Sequence, residues 1–192
     1  MKILLIGNGR SIHIVRWANE LTLKGHNVHL AFCSNDEPNQ EELNSEITFH
    51  KLKFAQPFGY YLNARQLKKL VRKNDFDVVN VHYASGYGTL GRRSKLNKQG
   101  NYVLSVWGSD VYIFPFQSKL NLIILKKNLK HANEICSTSH IMGKKIEEII
   151  GKREMFITPF GVNIETFKPS PKEENKKNAI ITIAKALEEI YG

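Results

Sequence analysis

Seven short apolar runs, at residues 2–6, 27–33, 47–54, 77–82, 102–107, 134–137 and 155–158, alternate with longer stretches of helical spacing at 12–24, 63–73, 89–98, 118–131 and 141–150. Strands separated by helix-length segments cannot close as hairpins. They line up in parallel, with crossover helices packed on the sheet. Runs such as "KILLI" are apolar at nearly every position, not every second one, as expected of strands covered on both faces. The predicted fold is therefore α/β, a doubly wound, mostly parallel, Rossmann-like sheet.

Local punctuation fits this layout. Gly25 follows a helical stretch that ends in Lys24, a normal helix stop. Asn63 and Gln66 have the spacing of a capping box opening the next helix. The polar stretch "SNDEPNQEELN" reads as a loop with at most one helical turn. Beyond Phe167, "KPSPKEENKKN" has nothing to bury and reads as a linker. The expected division is a domain at 1–168, a linker at 169–178, and the first strand and helix of a further, truncated domain at 179–192.

Composition narrows the function. A chain of 192 residues can build one α/β core. No apolar run approaches the ~18 residues of a membrane-spanning helix, and the opening "MKILLIGNGRS" is too briefly apolar for a secretory leader. Cys33 and Cys136 lie within apolar runs and read as buried free thiols of a reducing compartment. No His or Cys pair has zinc spacing, so no metal is expected. The net charge of +10 favours an anionic partner. At about 100° per residue, Lys119, Ile123, Lys126 and Lys130 form one stripe, and Arg65, Lys68, Lys69, Arg72 and Lys73 share a face of another helix. Near an anionic leaflet each such cation contributes about 1 kcal/mol, enough for weak, salt-sensitive attachment. Aromatic residues are not interleaved with these cations and no recognition-helix signature is present, so nucleic acid is not an expected partner.

The stretch "HYASGYGTLG" places Gly86, Gly88 and Gly91 in G-x-G-x-x-G spacing after a strand, with Asp110 about twenty residues on. This is the spacing of a dinucleotide site, and an NAD-binding oxidoreductase module is one reading. Against it, dinucleotide folds carry the motif after their first strand. Here that loop is "GNGRSIH", with Ile12 in place of the third glycine, and the second strand has no acid at its tip. The other reading makes the glycines turn and packing residues. A non-catalytic anion- or membrane-binding domain is a further alternative. In every case the first and fourth strands flank the switch in strand order, so "GNGRSIH", "HYASGYG" and "WGSDVY" are expected around one crevice. Helix-opening amides after Gly9 and Gly88 could hold negative charge there.

Three stretches together resemble one family. "SIHIVRWANELTLKGHNVHL", "DVVNVHYASGYGTLG…LSVWGSDVY" and "ITPFGVNIETFKP" are similar to the opening, central and closing blocks of the N-terminal domain of family-four retaining glycosyltransferases. "TIAKALEEIYG" resembles the start of the partner domain. The resemblance implies a GT-B fold, of which this chain is the acceptor half. It implies a nucleotide-sugar donor (UDP- or GDP-linked) with no other cofactor, and a saccharide or lipid-linked acceptor. A role in surface polysaccharide synthesis follows, at a cytoplasmic location that allows peripheral contact with the inner face of the membrane, with the fragment alone inactive.

Carried onto this sequence, the resemblance makes His82 the cleft histidine that supports charge separation at the reacting sugar. Asp110 becomes a loop acid that binds an acceptor hydroxyl, with N-capping as its other reading. Gly9, Arg10 and Ser11 form the first loop near phosphate or acceptor, where Ser11 is also an ordinary N-cap. His13 and Arg16 follow on the first helix, Arg16 within reach of an anionic acceptor group. Tyr83, Gly86 and Trp107 complete the acceptor- and phosphate-binding set, with Tyr83, Tyr87 and Trp107 able to stack on sugar rings. Asn163 stands where the family has Asp, and Asn80 where a second histidine is frequent. Glu165 and Glu173 match the spacing of the donor motif, but Pro169 and Pro171 lie between them, and the match reads as coincidental.

Overall fold

A computed structural model describes residues 1–168. Seven strands form one parallel sheet: β1 (Lys2–Ile6), β2 (Asn27–Phe32), β3 (Thr48–Lys51), β4 (Val78–His82), β5 (Asn101–Val106), β6 (Glu134–Ser137) and β7 (Phe156–Ile157). Their order is β3-β2-β1-β4-β5-β6-β7, with Ile6 beside Ala31 on one side and Val81 on the other. The switch in direction falls between β1 and β4, as the alternation predicts.

The helices are α1 (Ile12–Leu23), α2 (Gly59–Leu62), α3 (Ala64–Asn74), α4 (Gly86–Arg93), α5 (Ser109–Tyr112), α6 (Phe114–Gln117), α7 (Lys119–His131) and α8 (His140–Ile150). Two cores result, one on each sheet face. Ile14, Val15 and Ala18 of α1 pack against Ile3, Leu5, Val28 and Leu30. Leu67 of α3, Leu90 of α4, Leu125 of α7 and Ile146 of α8 pack against Leu4, Ile6, Val81 and Leu104. This is the right-handed crossover rule at work: reversing direction at the switch puts α1 on one face and α3, α4, α7 and α8 on the other.

The sequence misplaces several local features. The predicted helix at 89–98 begins earlier, at Gly86, and breaks at Ser94 before a 3-10 turn, Leu96–Lys98. The short helices α2, α5 and α6 are too brief to show a periodicity. The capping box is absent. Asn63 accepts from the Phe54 N–H (3.0 Å) and donates to its carbonyl (2.9 Å), and Gln66 similarly brackets Lys51 and Lys53. Both side chains clamp the end of β3 and the extended tail after it, satisfying backbone groups along this edge of the sheet. The polar stretch 34–44 holds one 3-10 turn, Gln40–Glu42. Cys33 and Cys136 are free thiols, the first buried and the second half-buried.

Met1–Phe160 form one compact unit and the chain from Gly161 belongs to a second. In that second unit the Asn163 Oδ1 accepts from the N–H groups of Glu165 (2.9 Å) and Thr166 (3.1 Å), a turn that needs an acceptor but no charge. The expected linker at 169–178, Glu173 and the segment 179–192 lie outside the described residues.

Candidate functional site

Three loops meet at the carboxyl ends of β1, β4 and β5. The β1 loop turns tightly, with the Asn8 carbonyl and side chain accepting from Ser11 N–H (3.0 Å) and Arg10 N–H (2.9 Å). Gly9 has no room for a side chain, since a Cβ would lie 2.7 Å from the Asp36 carbonyl and 2.8 Å from Pro38 Cδ. Its glycine lets the β1 loop lie against the loop after β2. Arg10 is exposed and its Nε reaches the Glu37 carbonyl at 3.3 Å. Ser11 is the N-cap of α1, its Oγ accepting from His13 N–H at 3.3 Å.

His82 ends β4 fully buried, and neither ring nitrogen has a hydrogen-bond partner among the described residues. Its ring is walled by Trp17 (6.2 Å between centroids) and Trp107 (5.7 Å). His13 lies edge-on to Trp107 at 5.2 Å and stacks on Phe160 at 3.7 Å. Among the described residues nine buried side-chain polar atoms lack a partner. Four of them (His13 Nδ1, both His82 nitrogens and Trp107 Nε1) gather here. Each such atom costs about 1–3 kcal/mol if left unsatisfied, so their concentration marks a place built to receive polar groups. Burial pulls the His82 pKa down to about 3, with the neighbouring His13 adding to the effect. Burial and then Arg16 lower that of His13. Both imidazoles are therefore neutral near pH 7, each with one N–H to donate and one lone pair to accept. Arg16, half-buried on α1, has no ion-pair partner among the described residues.

Asp110 is placed differently from a cleft-lining acid. It is fully buried, and its oxygens accept from the backbone N–H groups of Ala84 (2.7 Å), Gly108 (2.8 Å) and Trp107 (3.2 Å). Burial pushes its carboxyl pKa up while these amides pull it down. It ties the β4 loop to the β5 loop, which fixes Trp107 over His82. Tyr83 adopts a left-handed backbone (φ 80°), a conformation non-glycine residues rarely hold, and its Oη pairs with Ser109 Oγ at 2.7 Å. Its ring stands 6.0 Å from that of Trp107.

The glycines of the motif have a packing role. A Cβ on Gly86 would lie 2.5 Å from the Tyr60 ring, and one on Gly91 would lie 2.9 Å from Tyr102 Oη. These glycines let α4 pack against two tyrosines. Gly86 lines a small pocket with Tyr60, Tyr61, Phe114 and Asn121 on the α4 side of the sheet, whereas His82 faces α1. Asp110, sequestered among amides, has no free oxygen for a ribose. Tyr87, a candidate stacking residue, is buried, its Oη donating to Asp36 (2.5 Å) and accepting from Cys33 N–H (3.0 Å). Asn80 is buried and accepts from Ser105 Oγ at 2.9 Å.

Sequence reasoning brought His82, His13, Trp107, Tyr83, Arg16 and the Gly9 turn to one end of the sheet. It missed Trp17 and Phe160 as walls. Trp17 was findable, since it stands one helical turn after His13 and shares its face. Phe160 carried no such signal. Among the described residues no helix is long and apolar enough to cross a membrane.

Comparison with known proteins agrees with this architecture. A Bacillus subtilis (strain 168) protein named as a teichuronic acid biosynthesis glycosyltransferase, TuaC, is 25% identical over 146 residues, covering 74% of this chain and 37% of TuaC. The crystal structure of Anabaena HepE (Alr3699), in complex with UDP and glucose, superposes with a TM-score of 0.63 at 12% identity, covering 89% of this chain and 47% of HepE. A structure named as a UDP-N-acetylglucosamine 2-epimerase from Listeria monocytogenes shares the fold at a TM-score of 0.50 and 9% identity, over 77% of this chain and 41% of its own. The chain spans less than half the length of each. The family model for glycosyl transferase 4-like proteins matches residues 2–139, most of the sheet and every loop of the crevice, and the chain belongs to that family.

Proposed function

We propose that this chain is the acceptor-side half of a retaining glycosyltransferase that moves a sugar from a UDP- or GDP-linked donor to a saccharide or lipid-linked acceptor. The observation that carries the proposal is the buried His82 at the switch point, unpartnered among the described residues and walled by Trp17 and by Trp107, against which His13 packs. Neutral His82 donates a hydrogen bond to the sugar as positive charge builds on the ring and negative charge on the departing diphosphate. It positions and polarises, and forms no covalent bond. Trp107 and Tyr83 offer aromatic faces for a pyranose, and Arg16 a cation for an anionic group on the acceptor. The donor's nucleotide is held by residues beyond this chain, so residues 1–192 alone turn over no donor. Bound UDP and glucose in HepE and the teichuronic acid assignment of TuaC support a nucleotide-sugar donor and a role in surface polysaccharide synthesis. The enzyme works in the cytoplasm, and the cationic faces of α3 and α7 favour peripheral contact with the inner leaflet.

The test is release of nucleoside diphosphate from UDP- and GDP-sugars by the full enzyme, with anomeric configuration read by NMR. Turnover that is lost in His82→Ala supports the reading. An inverted product, or full turnover by residues 1–192, overturns it.

A further inference from the structure

The remaining five unpartnered buried atoms among the described residues lie on two segments away from the crevice. They are Ser94 Oγ, Asn97 Oδ1, Gln99 Oε1, Tyr102 Oη and His131 Nε2. The first four lie on the chain from the end of α4 to the start of β5, and His131 ends α7. Of these residues His131 also lines a groove of about 670 Å3, together with Arg92, Lys95, Lys98, Lys126, Lys127, Lys130 and Ile123. Both helices start at the crevice end of the sheet and finish at the other, so the groove lies far from His82. Two helix C-termini together offer about one negative charge, too little for six cations. None of the six has an acidic partner within ion-pair distance among the described residues. Arg92 is held in place by Asn128 Oδ1 (2.8 Å), which leaves its terminal nitrogens for a ligand.

We infer that this groove is a second binding site, for a ligand carrying two or more linked phosphates. Its volume suits a whole small molecule rather than a single phosphate. Converging cations supply charge-assisted hydrogen bonds, and Ile123, with the lysine stems, accepts a less polar body. The bound anion relieves the repulsion among the cations, and the site lies at a distance from the crevice. The same chemistry is presented by a free phosphorylated metabolite and by a lipid diphosphate headgroup.

Calorimetric titration of the full chain with inorganic tripolyphosphate at near-physiological salt tests the site. We expect one ligand per chain. The triple variant Lys98→Glu, Lys127→Glu, Lys130→Glu should weaken binding by about 100-fold or more, as expected from two or more charge-assisted contacts. A control with the same net charge, Arg65→Glu, Lys69→Glu, Arg72→Glu on α3, should change it by less than about threefold, because screening at such salt acts over ~8 Å. Thermal unfolding confirms that both variants fold, and its midpoint should rise with tripolyphosphate in the wild type and control only. A second arm uses neutral phosphatidylcholine vesicles with and without an added polyprenyl diphosphate. Adsorption that needs the diphosphate lipid, that tripolyphosphate displaces and that the groove variant lacks identifies the headgroup source. Tripolyphosphate binding without adsorption identifies a free metabolite. Absence of tripolyphosphate binding in the wild type, or equal loss in both variants, overturns the site and leaves the transferase reading untouched, since donor turnover is measured separately.

Discussion

Replacing His82 with leucine separates a working histidine from a packing one. The two side chains have similar volume, and the ring at this position lies beside Trp17 and Trp107. Histidine brings two polar atoms without partners among the described residues into this place. Removing them relieves up to about 1–3 kcal/mol, whereas an apolar residue of matching shape adds contacts with the aromatic walls. The His82→Leu chain should therefore be as stable as wild type or more so, with a melting midpoint higher by as much as ~2–12 °C for a chain of this size. Turnover of the full enzyme should fall by about 100-fold or more, the usual loss when a donor aimed at developing charge is removed. Thermal unfolding and nucleoside diphosphate release measure the two quantities on one preparation. A leucine variant that loses more than ~1 kcal/mol of stability yet keeps its turnover would refute the reasoning. In that case His82 is a core residue whose nitrogens matter to nothing that binds.

The pH dependence follows from the same burial. His82 titrates at about 3 and His29 at about 4 when folded, against 6.5 for an ordinary histidine, and burial also lowers His13, His50 and His131. Between the folded and unfolded pKa values the unfolded chain binds more protons. Stability is thus complete above about pH 6.5 and drains away toward pH 4 and below; a melting profile should show this slope, shallower in His82→Leu, and a flat profile contradicts it. Asp110→Ala strips three backbone amides of their acceptor and should cost about 3 kcal/mol or more, lowering the midpoint by roughly 6–12 °C. If the variant instead melts normally and raises only the acceptor KM, Asp110 lines the cleft after all. Gly86→Ala drives a methyl against the Tyr60 ring and should destabilise by about 1–3 kcal/mol. NADH fluorescence should show no binding before or after that change, and saturable binding in the wild type would restore the dinucleotide reading.

The strands were legible because burial on both faces writes nearly unbroken apolar runs, so β1 and β6 begin and end where the sequence places them. Helix starts were less so. Gly86 opens α4 although its type argues against helix, since the Tyr60 ring must lie against it. Asn63 and Gln66 have capping chemistry but spend it on the chain after β3, a partner far enough along the sequence that spacing cannot reveal it.

By itself the sequence determined the parallel sheet, its switch between β1 and β4, and so the end of the molecule at which His82, His13 and Trp107 meet. It could do this because strand order and chirality follow from local patterns and a few general rules. Only the tertiary structure decided what each polar side chain does there. Asp110, in α5 just beyond β5, and His82, at the tip of β4, are both buried, yet one has its oxygens filled by three amides and the other has no partner among the described residues. Hydrogen-bond satisfaction is a property of three-dimensional neighbours, and it is what separates a residue that holds the loops from one left free for a ligand.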